Sequence, residues 1–417
     1  MRNYVDLHIH SRFAQATSKD LGIETLSKWA KIKGLNVLGT GDFTHPKWFE
    51  EITRLTTEDE NGILQSKSGM KFIWQTEISF IYTQGGKGRR VHLVILAPNK
   101  EVVMQINETM LKRGRLDYDG RPIFGISCIE IVDMMMNISK DIEIIPAHAW
   151  TPWFSIFGSS SGFNSLKECF QEKEKYIHSI ETGMSSDPAM NWRLSQLDNI
   201  TLTSNSDLHS YWPWRMGREC NVMDLKEITY DGIIDCIRTR TNFIETLETD
   251  PGYGKYHYDG HRDCKTSFSP DESKKINNIC PVCKKKLTIG VLNRVEELAD
   301  RPEGFVPKNA VPFRNILPLS DVLAAANGWP VASKKTWVLY NELIRTFGNE
   351  FSTMLDIDEN TLAKILDEKT LKAVMLNRQG KIKVKPGYDG AYGIPVIDEI
   401  DLVEKKINGA QRGLDEF

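Results

Sequence analysis

Tyr4-Val5-Asp6-Leu7-His8-Ile9-His10 is the stretch on which the reading of this chain turns. Val5, Leu7 and Ile9 alternate with Asp6, His8 and His10, the period of a β-strand, so the two imidazoles project to one side, about 6.5 Å apart along the chain. That spacing suits a metal cluster. One His-x-His carries little weight, because paired histidines recur by chance, but Asp207-Leu208-His209 repeats the geometry after another apolar run. Between the two, apolar segments carry a potential ligand again and again. Asn36 to Asp42 ends in Asp42, with His45 three residues on, and Lys71 to Glu77 ends in Glu77. Arg90 to Leu96 carries His92, Ile142 to His148 ends in His148, and Tyr176 to Glu181 ends in Glu181.

Helical stretches separate these strands. Gly22 to Lys33 puts Ile23, Leu26, Trp29 and Ala30 on one face, with Gly34 as its stop, and Gly125 to Lys140, Ser165 to Lys173 and Pro188 to Leu197 follow. Strands alternating with helices predict an α/β fold with a parallel sheet. About seven strands with polar C-terminal ends predict a closed or nearly closed barrel, its site where those ends converge. A doubly wound open sheet is the alternative, but it gathers ligands at one switch point instead of from nearly every strand.

The 417 residues leave room for two or three domains, and 40% hydrophobic with 26% charged residues is an ordinary globular composition. A net charge of −3 does not exclude nucleic acid, since a cluster of acidic ligands offsets basic faces in the sum. Met1-Arg2-Asn3-Tyr4 leads into a strand without an apolar signal region, and no run of 18 apolar residues occurs, so a cytoplasmic protein with no membrane partner is expected. Three of the seven cysteines fall within Cys264 to Cys283, which suggests one metal knuckle plus buried thiols and not a disulfide framework.

Imidazole suits zinc and manganese; carboxylates suit manganese and magnesium and bridge ions, so the ligand set accommodates two or three divalent cations (Zn, Mn or Mg). Ions about 3.5 to 4 Å apart activate water for in-line attack and stabilise the departing oxygen, which is phosphoester hydrolysis. In order, His8-x-His10, Asp42 with His45, Glu77, His92, His148 and Asp207-x-His209 resemble the metal motifs of the polymerase and histidinol phosphatase (PHP) superfamily. Within it the resemblance is to the endonuclease Q family, and it extends through the cysteine segment and the C-terminal region.

This resemblance implies a distorted (β/α)7 PHP barrel over residues 1–250, an appended zinc-binding unit over 251–300 and a mainly helical domain over 301–408. It implies a metal-dependent DNA repair endonuclease that recognises uracil, hypoxanthine or xanthine, and abasic sites. The phosphodiester 5′ to the lesion would be cut, leaving 3′-hydroxyl and 5′-phosphate ends. His8, His10, Glu77, His92, His148, Asp207 and His209 would hold the ions, with Asp207, Glu77 and His10 central to catalysis. Asp42 or His45 would complete the set: Gly41-Asp42-Phe43-Thr44-His45 separates an acid and a histidine that the wider superfamily often has adjacent. Glu181 is either a further ligand or an orienter of one.

Two aromatic loops adjoin the ligands. Trp150, Trp153 and Phe154 would wall a pocket for an extruded base, while the backbone of Ser159, Ser160, Ser161, Gly162 and Asn164 would cradle a phosphate. Tyr211 and Trp212 raise the same expectation after His209; for both loops, packing onto the barrel rim is the alternative. His261-x-x-Cys264 and Cys280-Pro-Val-Cys283 have the paired spacing of a closed structural zinc site, with His257 as rival to His261 and Lys284, Lys285 and Lys286 as a basic flank. Leu317 to Asn327, Lys335 to Phe347 and Asn360 to Asn377 read as helices, and Lys381, Lys383 and Lys385 share one side of a strand. In the tail, 409–417, Gln411, Leu414 and Phe417 resemble a sliding-clamp peptide. Damaged DNA and a clamp are therefore the expected partners. A PHP phosphatase acting on a small monoester is the alternative function, and a non-catalytic DNA-binding module a third; neither explains why the full ligand set and the appended units occur together.

Overall fold

In the computed structural model, which describes residues 1–397, the opening stretch is a strand, β1 (Arg2–Asp6), continued in extended form to His10. It pairs in parallel with β2 (Val37–Gly39), and β2 with β3 (Lys71–Gln84). Gln411, Leu414 and Phe417 lie outside the described residues. The chain then turns back through Gly85 and Gly86, both at positive φ, into β4 (Lys87–Ala97). Here the expected all-parallel sheet fails. β4 runs antiparallel to β3 and to β5 (Glu143–Pro146), because a two-glycine hairpin turn is far too short for the helical crossover that parallel strands need.

β6 (Ser179–Glu181) and β7 (Thr201–Thr203) pair in parallel with each other. A bond of 3.0 Å from Ala149 N to Glu181 O links β5 to β6, and His10 N to Leu208 O, 3.2 Å, returns the path to β1. The seven strands therefore form a circuit. Its seam between β1 and β7 is closed by amide side chains in place of a ladder. Asn221 Nδ2 donates to Val5 O and Ser204 O, and Asn205 Oδ1 accepts from Leu7 N at 2.8 Å. β8 (Cys220–Asp224) and β9 (Phe243–Glu248) extend the sheet from the other edge of β1. Phe313–Asn315 adds to β9 in parallel, so the sheet continues into residues beyond 300.

Helix α1 (Ile23–Lys33) ends at Gly34 in a left-handed cap, as its spacing predicts. Val5 and Leu7 join Val37, Ile73, Val94 and Ile145 in a buried cluster sealed by α2 (Tyr230–Thr239). After α3 (Val291–Leu298), the C-terminal region packs α4 (Leu319–Asn327) against α5 (Lys334–Phe347) and α6 (Glu368–Arg378). The single helix expected over 360–377 is broken, because Asp367 caps a new start by accepting from Thr370 N. Among the described residues no helix is long and apolar enough to cross a membrane.

The C-terminal helices are tied to α1 by a buried ion pair. Lys33 Nζ lies 2.7 Å from Glu350 Oε1 and 3.0 Å from Pro213 O, while Glu350 also accepts from Leu319 N and the Tyr340 hydroxyl. Both side chains are essentially inaccessible. The cysteine segment folds as a hairpin of Asp259–His261 and Thr266–Phe268 whose base is pinned by Asp259, which accepts from Gly290 N and Asn293 Nδ2 at 2.6 Å each. His261, Cys264, Cys280 and Cys283 bring one donor atom each within 4.8 Å of one another. His257 lies elsewhere, stacked on Tyr258 at 5.4 Å. Burial opposes a Cys280 thiolate, yet the N–H groups of Cys283 and Val282 and the Thr266 hydroxyl bring its pKa down to about 6. That donor set, with a sulfur already biased to the anion, fits tetrahedral zinc.

Two predictions follow from this architecture. Glu350→Ala strands the Lys33 ammonium and should lower unfolding free energy by about 3–5 kcal/mol in urea titration, with much of the loss recovered in a Lys33→Met/Glu350→Leu double variant. Cys283→Ser should remove one equivalent of zinc by elemental analysis and lower the melting temperature by several degrees.

Candidate metal centre

Beyond the C-terminal ends of β2, β5 and β7 the backbone turns sharply. Asp42, His148 and Asp207 sit there at φ of +42°, +31° and +45°. Left-handed conformations of such residues cost of order 1–3 kcal/mol and persist only where the surroundings over-determine them. All three belong to the expected ligand set.

Two groups of donors face each other. His8, His10 and Asp207 form one, and Glu77, His92 and His148 the other, each with its donor atoms within 4.8 Å. Glu77, wholly buried on β3, joins them. Its Oε1 lies 2.8 Å from His92 Nδ1 and 3.2 Å from His148 Nε2, and its Oε2 lies 3.2 Å from His10 Nε2 and 3.6 Å from His8 Nε2. Asp207 Oδ1 lies 3.2 Å from the same His10 Nε2 and 3.6 Å from the same His8 Nε2. His8 Nε2, His10 Nε2, His92 Nδ1 and Asp207 Oδ1 are buried with no hydrogen-bond partner among the described residues, the condition of donor atoms awaiting a cation.

Burial opposes charge at Glu77, but His92, Arg121 and His8 hold its carboxyl well below the usual range. Burial likewise opposes charge at Asp207, where His209, His8 and His10 keep the carboxylate ionised. Burial pushes His92 and His209 down to about 4, whereas the carboxylates of Glu181, Glu77, Asp207 and Asp42 outweigh burial and raise His8 and His10 well above, and His148 above, the ordinary imidazole range. His209 Nδ1 lies 3.0 Å from Asp207 O, and its ring lies 4.7 Å from that of His10.

The histidines are aimed from behind. His8 Nδ1 lies 3.0 Å from each Glu181 oxygen, and Glu181 also accepts from Asn205 Nδ2 and His148 N at 2.9 Å. His10 Nδ1 lies 3.0 Å from Asp42 Oδ1, whose other oxygen accepts from Ser11 N and Oγ. Asp42 is thus engaged with His10 and Ser11, and His45 stacks on Phe13 at 4.3 Å; neither stands in the two donor groups. Gly120 must be a glycine, since a Cβ there would lie 2.4 Å from Asp42 Oδ2. The next residue, Arg121, donates to Glu77 Oε2 at 3.1 Å and was not legible in the sequence; the Asp119-Gly120-Arg121-Pro122 turn was its only signal.

The aromatic loops divide. Trp150 is buried, its indole N–H donating to Asn191 Oδ1 at 2.7 Å, so it is core and not a pocket wall. Trp153 is 38% exposed, and the Phe154 ring stands 4.7 Å from that of His92. In the Gly/Ser loop three of the five N–H groups expected to cradle a phosphate, those of Ser160, Gly162 and Asn164, are already engaged. The N–H groups of Ser160, Gly162 and Phe163 bond within the loop, that of Asn164 bonds Glu168, and the Ser159 hydroxyl bonds Ile289 O. Arg294 of α3 holds the loop through Phe157 O, Phe163 O and Asn164 Oδ1. Ser161 is buried beside Arg90 O, at 3.5 Å. Tyr211 and Trp212 pack with Trp29 of α1, and Trp212 also meets Trp214 and Trp337 of α5 at 5.1 and 5.4 Å. Both also line a groove of about 600 Å³ with Arg12, Lys28 and Arg54.

Comparison with known proteins places this geometry in a lineage. Residues 318–381 match the MJ0043 C-terminal domain family. The uncharacterized protein MJ0043 of Methanocaldococcus jannaschii is 34% identical over 289 residues, 68% of this chain, and this chain spans only 35% of that relative's length. Bacillus subtilis YqxK is 26% identical over 94% of this chain and 98% of its own. The crystal structure of a lesion-specific endonuclease, PfuEndoQ from Pyrococcus furiosus, superposes with a TM-score of 0.86 at 30% identity, covering 97% of this chain and 98% of that one. An endonuclease Q solved with duplex substrate bearing an abasic lesion at its active site gives a TM-score of 0.87 at 31% identity, covering 98% and 99%. With this agreement in sequence and fold along nearly the whole of both chains, this chain belongs to the endonuclease Q family.

Proposed function

We propose that this protein is a metal-dependent endonuclease that hydrolyses damaged DNA. The observation that carries this reading is the Glu77 carboxylate, with one oxygen in each of two donor groups of buried imidazoles. A carboxylate so placed suits a pair of divalent cations, and the family relationship, including a relative solved on a lesion-bearing duplex, supports DNA as the substrate. His8, His10 and Asp207 would hold one ion and Glu77, His92 and His148 another. Zinc, manganese or magnesium bound there would supply activation of water and charge to offset that on the phosphoryl oxygens.

The chain's own residues do the remaining work. Glu181 and Asp42 fix the ring orientation and tautomer of His8 and His10, each presenting its Nε2 to the centre. Arg121 adds a fixed positive charge beside Glu77. Phe154 offers a flat face next to His92, and Trp153, half exposed beside Tyr256, a second, where a deaminated base such as uracil, hypoxanthine or xanthine is held once it leaves the stack; an abasic site needs no such eviction. The barrel over residues 1–250 carries the chemistry. The zinc unit over 251–300 and the described part of the helical region, 301–397, hold its rim loops in place. Cutting falls on the 5′ side of the lesion and leaves 3′-hydroxyl and 5′-phosphate ends.

End-labelled duplexes with one uracil or one hypoxanthine should be nicked immediately 5′ of that base with manganese or magnesium, and left intact with chelator. An unmodified duplex should stay whole. Release of phosphate from small monoesters in place of nicking would move the protein to the phosphatase class. Glu181→Gln, which leaves every proposed ligand present but weakens the grip on His8, should lower metal affinity or cutting by about 10–100-fold, read by metal titration and initial rates.

A further inference from the structure

The β3–β4 hairpin brings one further charge to the edge of the metal centre. Arg90 lies two residues from His92 on β4, and alternation along a strand sets both side chains on one face, Arg90 being the nearer to the Gly85-Gly86 turn. Ile81, its partner across the ladder, is 40% exposed, so this end of the hairpin stands in solvent. Arg89 points the other way and is spent: Nε donates to Gln84 O at 3.3 Å, Nη2 to Glu168 Oε1 at 2.7 Å and Nη1 to Gly162 O. Arg90 differs. It is exposed, and among the described residues its guanidinium makes no hydrogen bond or ion pair; it lies over the Phe154 ring, 5.7 Å from the centroid.

That ring is held in place at a conformational cost. Phe154 has a φ of +59°, a left-handed conformation that a bulky side chain rarely takes and that persists only where the surroundings impose it. They impose it through the metal donors. His92 N donates to Phe154 O at 3.1 Å, and Thr151 Oγ1, 3.2 Å from His148 Nδ1, donates to Trp153 O at 2.9 Å. The loop that carries the Trp153 and Phe154 rings is thereby registered against two of the histidines, and the Arg90 guanidinium against one of those rings.

We propose that Arg90 reads the base, donating to the carbonyl that deamination creates at C4 of uracil or C6 of hypoxanthine. The inference rests on the nuclease reading and on the placement of an extruded base against Phe154. A guanidinium has N–H donors and no acceptor. Deamination replaces an exocyclic amine with a carbonyl, so a donor becomes an acceptor at that position. The same arginine therefore bonds uracil and hypoxanthine but meets cytosine and adenine donor to donor. The entering base takes the ring face that Arg90 covers, and the guanidinium moves to the edge of the base. Thymine and guanine carry the same carbonyl, so their exclusion falls to contacts around C5 and C2; Arg90 separates uracil from cytosine and hypoxanthine from adenine. An abasic site presents no base edge and bypasses Arg90.

Initial nicking rates of wild type and Arg90→Met test this on duplexes that carry uracil, 2-pyrimidinone (uracil without its C4 oxygen) or an abasic site at one position. Wild type should nick the uracil duplex about 10- to 100-fold faster than the 2-pyrimidinone duplex. Arg90→Met should nick those two at similar rates, and its ratio of uracil to abasic nicking should fall by the same factor. An unchanged melting temperature establishes that the variant folds. Equal wild-type rates on uracil and 2-pyrimidinone would overturn the inference without recourse to any variant. So would an equal loss by Arg90→Met on the uracil and abasic duplexes, which would make Arg90 a holder of the strand and not a reader of the base. Wild type that nicks the abasic duplex alone would overturn this inference and spare the nuclease reading, whereas wild type that nicks neither would overturn both.

Discussion

A single carboxylate, that of Glu77, constrains the centre of this molecule. Taking it out of water costs several kcal/mol unless positive charge and hydrogen bonds surround it. They do so from four other places in the chain: β1 through His8 and His10, β4 through His92, the turn after β5 through His148, and the turn before Cys128 through Arg121. Each contributor must arrive within a few tenths of an ångström. The circuit of strands supplies that accuracy, because every contributor lies on a strand or at its end. The antiparallel β3–β4 hairpin sets Glu77 opposite Val94, which brings His92 to its carboxylate without any intervening helix.

Behind that centre stands an outer layer that costs stability and confers geometry. Asp42 and Glu181 are buried acids spent on the far sides of histidines, and Asp42 sits at positive φ to do so. Strained backbone at Asp42, His148 and Asp207 makes sense only if the position of these side chains is worth more than the conformational cost. The amide seam of Asn205 and Asn221 serves the same end, since it joins β1 to β7 where the strands themselves do not pair and so keeps His8 in register with Asp207.

The appended units act on the rim. Arg294 of α3 grips three oxygens of the Gly/Ser loop, and the tryptophans after His209 are interleaved with Trp337 of α5. The Lys33–Glu350 pair fastens the same helical region to α1. Loops that flank a reactive centre are thereby held by parts of the chain hundreds of residues away. Disturbing the zinc hairpin or the C-terminal helices should be felt at the mouth of the centre even where no ligand is touched.

Much of this was legible in the linear chain. Alternation in residues 4–10 marked a strand with its histidines on one face, and the recurrence of acids and histidines at strand ends marked a shared centre, because period and end position are local properties. Spacing alone likewise gathered His261, Cys264, Cys280 and Cys283. What local pattern cannot carry is how residues are used once strands meet. Only the packed structure separates Glu77, which spans two donor groups, from Asp42, which backs one histidine, although both end apolar strands. It also takes Trp150 into the core and ties up the N–H groups of Ser160, Gly162 and Asn164 in the Gly/Ser loop. The physical reason is that an aromatic ring or an amide reads the same in sequence whether it faces solvent or a neighbour, and burial is decided by contacts between segments far apart along the chain.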